Sequence, residues 1–200
     1  MKAASIKTTT LLLLLASCAS TASSEEAPQE AAQELPGAGE EMMAMPEPTP
    51  EHARVLEGVG RWTGTLTSWE AGPDPVQMEA TQVVEAVGGF WTVCTMTCDF
   101  MGMPYKGNGH VGYDPDRGLF VGDWVDNMSA AFAGMEGSYL EDGETLRMRW
   151  QAPDWMTGKL VDNWSDTIQT ATTQTSTFYR GDEQGEHQKV MEITMTRVDG

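Results

Sequence analysis

From residue 60 onward, apolar and polar positions alternate in short runs, and clusters of turn residues interrupt them about every 10 residues. This spacing predicts strands over 61–69, 76–86, 90–98, 105–113, 118–125, 130–139, 144–152, 158–166, 172–180 and 187–198. The breaks fall at Gly72-Pro73-Asp74-Pro75, Gly88-Gly89, Gly102-Met103-Pro104, Asp114-Pro115, Asn127, Asp142-Gly143, Pro153-Asp154, Ser165-Asp166 and Gly181-Asp182. Short sequential strands with tight turns predict an all-β fold, an up-and-down antiparallel barrel of about ten strands, over a Greek-key sandwich. Closure also removes the free edges that a flat sheet would expose. One short N-terminal helix precedes the strands. Thr49 is placed to cap it, Pro50 fits its first position, and Gly58 and Gly60 end it. Val55, Leu56 and Val59 fall at helical spacing, so the helix reads as a barrel lid, with His52 on its solvated side.

The stretch 102–128 is the densest in punctuation. Gly102, Gly107, Gly109 and Gly112 precede the turn Asp114-Pro115-Asp116-Arg117-Gly118, and Trp124-Val125-Asp126 follow it. Glycine within a strand marks a bulge, a sharp bend or close approach of another group, which suits a strongly coiled barrel. Asp114 is turn chemistry. Tyr113, Trp124 and Asp126 lie on one hairpin and are the candidate ligand-binding residues; Asp126 either aims a carboxylate into the barrel mouth or caps the strand end.

The run Gly102-Met103-Pro104, Gly107, Gly109, Gly112-Tyr113-Asp114, followed by Trp124-Val125-Asp126, resembles the hallmark of the bacterial domain-of-unknown-function 1579 family. Leu56, Gly60, Trp62, Gly88-Gly89 and Thr196-Arg197 extend the resemblance over residues 50–198. It implies a lipocalin-like barrel and no settled activity. Gly60-Arg61-Trp62 and Arg197 are also similar to the lipocalin pair in which a first-strand Trp packs under a last-strand Arg. A guanidinium stacked on an indole plugs one barrel end, so both are structural candidates.

The N-terminus changes the picture of location. Lys2 and Lys7 precede an apolar run at 11–15, too short for the ~20 residues of a membrane span. Leu15-Ala16-Ser17-Cys18 resembles the bacterial lipoprotein signal. The expected organisation is a signal peptide at 1–17, a lipidated Cys18 with a disordered acidic tether over 18–49, and a barrel domain over 50–200. Acyl chains on Cys18 would anchor the chain in a lipid bilayer. Ala19 and Ser20 carry no Asp that, by the same resemblance, favours the inner membrane. A lipid-anchored place in the cell envelope follows, on the outer membrane and facing the periplasm. The chain holds 30 acidic and 12 basic residues, a net charge of −18, which argues against nucleic acid as a partner.

Candidate chemistry is sparse. Cys94, Met96 and Cys98 share one strand face, where they pack the interior, hold a soft metal, or bridge as a disulfide if the strand breaks. Met42, Met43 and Met45 in the tether are a weak Cu(I) motif. His110 faces in or out. His187, which opens the last strand, could serve as an axial haem ligand, as in nitrobindin-like barrels. The sequence has no G-x-S-x-G, H-E-x-x-H or Gly-rich phosphate loop, and it names no catalytic residue, metal ligand or cofactor. Trp91, Trp150, Trp155, Trp164, Met96 and Met148 fill the interior or line a cavity. The readings rank as binding of a small apolar or amphipathic ligand first, a filled-barrel envelope scaffold second, and a haem or metal carrier or enzyme third.

Overall fold

In the computed structural model, which describes residues 46–70, 72–154, 157–181 and 186–198, the alternating runs pair into a closed antiparallel meander. Its strands are β1 (Gly60–Ser68), β2 (Val76–Val87), β3 (Trp91–Phe100), β4 (Met103–Asp114), β5 (Leu119–Asp126), β6 (Ala133–Tyr139), β7 (Thr145–Pro153), β8 (Leu160–Gln169), β9 (Thr173–Gly181) and β10 (His187–Val198). Each strand pairs with its sequence neighbours, and β10 closes on β1 from Arg61↔Val198 to Ser68↔Met191. The all-β, ten-stranded, lipocalin-like barrel is therefore the architecture. Cys18, the signal, the tether up to residue 45 with Met42, Met43 and Met45, and Trp155 lie outside the described residues.

Two strand boundaries differ from the alternation by three residues, the start of β6 and the end of β8. β6 begins at Ala133, because the preceding residues form a side-chain-braced loop. Asp126 Oδ1 accepts from the Met128 and Ser129 amides at 2.8 Å, and Asn127 bonds the backbone of Lys106 and Pro104 at 2.8 Å. β8 runs through Ser165-Asp166, which reads as a break by composition. Ser165 is buried, while Asp166 takes a two-pronged bond from Arg147 at 2.6 Å on the outer face. A polar pair can continue a strand when a cross-strand partner satisfies it.

The core sits against β1, β2, β3 and β10. Trp62 and Met195 are 1% and 0% exposed, packed with Leu66, Met78, Ala80, Val84, Met96 and Ile193. At Gly64 a Cβ would stand 1.9 Å from the Thr194 carbonyl oxygen, so the β1–β10 seam closes only over glycine.

A helix, α1 (Pro50–Leu56), covers one barrel end. His52 is 3% exposed rather than solvated. Its Nδ1 accepts from the Thr49 amide at 3.0 Å, and its ring stands edge-on to Phe90 and Tyr113 at 5.1 and 5.6 Å. Arg54 lies over the Tyr139 ring at 3.3 Å and donates to the Gly143 carbonyl at 2.7 Å. Arg197 stacks on Trp62 at 4.2 Å and donates to the carbonyls of Glu57 at 2.7 Å, Ala171 at 2.6 Å, and Val59. Trp62 Nε1 donates to the Gly58 carbonyl at 2.9 Å. The Trp–Arg pair thus ties the lid, the first strand and the β8–β9 turn together.

Candidate functional site

The glycines of β4 make room for an indole. A Cβ on Gly107 would fall 2.1 Å from the Trp124 ring, and one on Gly109 would fall 2.6 Å from it. Trp124 therefore lies against β4 on the interior side, and its Nε1 donates to Tyr105 Oη at 3.0 Å. Asp126 is occupied by the turn it caps. Tyr113 pairs with Phe120 near the hairpin turn, whereas Trp124 pairs with Gly109, four residues along β5. At ~3.3 Å per residue the separation is about 13 Å. Tyr113 packs under the lid, and Trp124 and Asp126 belong to the opposite half of the hairpin. The fold does not bring the three together. His110 faces outward, with Nδ1 2.9 Å from Asp123 Oδ1.

Cys94 and Cys98 lie on the interior face of an unbroken β3, both as free thiols packed beside the core. Burial pushes the Cys94 thiol from 9.0 to about 12. Burial also raises Tyr105 from 10.0 to about 12, partly offset by the Trp124 hydrogen bond. Both groups hold their protons more tightly folded than unfolded. Stability is therefore intact below about pH 9 and falls as pH rises toward 12, where the unfolded chain releases these protons first. Alkaline titration of thermal unfolding should show that slope. At pH 8, iodoacetamide should label Cys94 on the order of a thousandfold more slowly in the folded chain than in urea. Among the described residues no group of three or more His, Cys, Asp or Glu is placed to hold a metal ion.

A different feature interrupts the wall. The β6–β7 ladder has four pairs and stops at Glu136↔Arg149. Beyond it, Ala133, Gly134 and Met135 pair only with β5, and Trp150, Gln151, Ala152 and Pro153 only with β8. The two strands splay, and Phe132 overhangs the slot at Gly134. A groove of about 1050 Å³ runs along the outer face there, with Trp91 near one end and Trp164 and His187 near the other. Trp164 stacks on Tyr179 at 5.1 Å and meets His187 edge-on at 4.2 Å, so the haem-ligand candidate faces outward. A smaller space of about 160 Å³ lies among Val161, Phe178 and Met191. Trp150 and Asn163 line both spaces, so they form the wall shared by the outer groove and this second space.

Sequence offered Trp150 and Trp164 only as interior filling or cavity lining, and it singled out neither Asn163 nor Arg149. A further local trace is the short β6 run, with Ala133, Gly134 and Gly137, which has too little side chain to hold a long seam.

The fold and this side slot define a class: a closed, lidded, lipocalin-like barrel with an opening in its wall. Residues 47–197 match the family described as "Protein of unknown function (DUF1579)", and the chain belongs to that family. Among solved structures it is similar to Rv2717c from M. tuberculosis, at 14% identity and a TM-score of 0.56. The match covers 76% of this chain and 100% of that one, a likeness of fold. No curated protein matches the chain.

Proposed function

We propose that the protein is an envelope lipoprotein that holds one small amphipathic ligand in the β6–β7 slot. Its anchor is the acylated Cys18 in the bilayer, and its place is the periplasmic face of the outer membrane. The observation that carries the binding reading is the open groove at the β6–β7 slot, backed through Trp150 and Asn163 by a second space of mixed lining, with Val161, Phe178 and Met191 beside Glu70 and Arg180. The groove's volume lies at the upper end of the range for small-molecule sites, and the interior space below it. Trp124, on the interior side of the β4–β5 wall, adds apolar surface facing the barrel's interior. A ligand with one apolar and one polar end would bury the first against Trp150 and Phe178, whose rings lie 6.3 Å apart, and leave the second in the groove.

The Cys18→Ser chain should move from the membrane pellet to the soluble periplasmic fraction. Purified gently, it should show excess mass by native mass spectrometry that disappears on denaturation. Trp150→Ala should lose that mass. A clean apo mass in both chains would favour the second reading, an envelope scaffold, which the solid core against β1, β2, β3 and β10 supports.

A further inference from the structure

We infer that the ligand of this slot is an aliphatic acid, held by its anionic head on Arg149 at the outer lip. The inference rests on the binding reading above and adds the chemistry of the head. In a chain of net charge −18, three arginines converge on one groove: Arg117, Arg147 and Arg149. Two are engaged. Arg117 pairs with Glu136, and Arg147 makes its two-pronged bond to Asp166. The Arg149 side chain is exposed and, among the described residues, makes no hydrogen bond or ion pair. The acids of the lining are also engaged: Asp123 by His110, Glu136 by Arg117, and Asp162 by Gln151 Nε2 at 3.0 Å. What the groove offers unmatched is a guanidinium, whose fork fits carboxylate oxygens two at a time.

A second donor lies beside it. Trp164 is the direct cross-strand partner of Arg149, and its Nε1 is buried with no hydrogen-bond partner among the described residues. A buried donor without an acceptor is costly, so the Trp164 ring gains by turning its Nε1 toward an acid oxygen held at this lip. The interior space sets the other end. Its 160 Å³ equals about five water volumes, so a short aliphatic segment fits against Val161, Phe178 and Met191, with the Glu70–Arg180 ion pair as the polar part of the wall and the rest of the chain in the slot. A medium-chain acid suits these dimensions; a bulky polycyclic molecule does not.

The test is calorimetric titration of the full-length Cys18→Ser chain with decanoate and with 1-decanol. The parent should bind decanoate at least tenfold more tightly than decanol. Arg149→Gln should remove that preference while leaving decanol affinity unchanged, and Arg149→Lys should restore part of it. Arg149 supports nothing else, so unchanged thermal unfolding should accompany both variants. Equal affinity for acid and alcohol in parent and variant, lost in Trp150→Ala, would overturn the acid head and leave the slot standing. Binding of neither probe, by calorimetry and by Trp fluorescence, would overturn the slot together with the head.

Discussion

Alanine at Gly137 is expected to cost about 3 kcal/mol or more of folding stability, read as a lowered urea midpoint. A Cβ there would stand 1.7 Å from the Arg147 carbonyl oxygen and 2.9 Å from Met148 Cα. Both are backbone, so no side chain can swing aside, and β6 must move off β7. Gly137↔Met148 lies inside a ladder of four pairs, and the rest of β6 is already splayed. Pushing there leaves the seam with pairs on either side of a gap. Gly134→Ala is the control on the same strand. Its Cβ would meet only the Phe132 ring, at 3.3 Å, and that exposed ring can swing, so a change within about 0.5 kcal/mol is expected. An unchanged midpoint for Gly137→Ala would mean that the two strands do not approach this closely in solution.

The contrast explains what could be read from the chain and what could not. Strand number, order and closure were legible because alternation, turn residues and the Trp62–Arg197 pair are local signals of a meander. The helix was legible for the same reason, from Thr49-Pro50 to Gly58. His52 was misplaced, since first-turn position favours solvent while the approach of Phe90 and Tyr113 from distant strands decides burial. Tyr113 and Trp124 looked like neighbours because they flank one turn. In the register they stand at different heights, and Gly107 and Gly109 make room for the Trp124 ring rather than for a ligand. The slot was invisible for a deeper reason. A short ladder is a relation between two strands, and no residue in β6 or β7 announces where pairing stops. Arg149 likewise became conspicuous only when every neighbouring charge proved to have a partner.

The acidity of the chain gains meaning from the same geometry. A high net charge repels anions in general, yet a lip whose other charges are paired off and which keeps one unengaged guanidinium admits an acid at short range. Added salt screens the general repulsion more than the contact itself. Decanoate affinity should therefore fall only weakly with salt, unlike binding to a dispersed basic surface.

Methionine at Arg197 is expected to cost about 2–4 kcal/mol and to loosen the lid before the barrel. The guanidinium donates to carbonyls on both sides of a chain gap, Glu57 and Val59 after α1 and Ala171 in the β8–β9 turn. Methionine keeps the apolar stem over the Trp62 ring and leaves those three carbonyls to water. Lysine should recover little, because one ammonium cannot serve three oxygens held by a planar fork. Trp62→Phe is the graded comparison. It deletes the bond to the Gly58 carbonyl and part of the ring, and should destabilise through the core without singling out the lid. Hydrogen exchange separates the two. In Arg197→Met the amides of Gly58 and Val59, bonded to Val55 and Leu56 at 3.4 and 3.1 Å, should exchange faster than the β1–β10 ladder does. Uniform acceleration across lid and ladder would show that Arg197 holds the whole barrel, and unaltered exchange at both would remove it as a clamp.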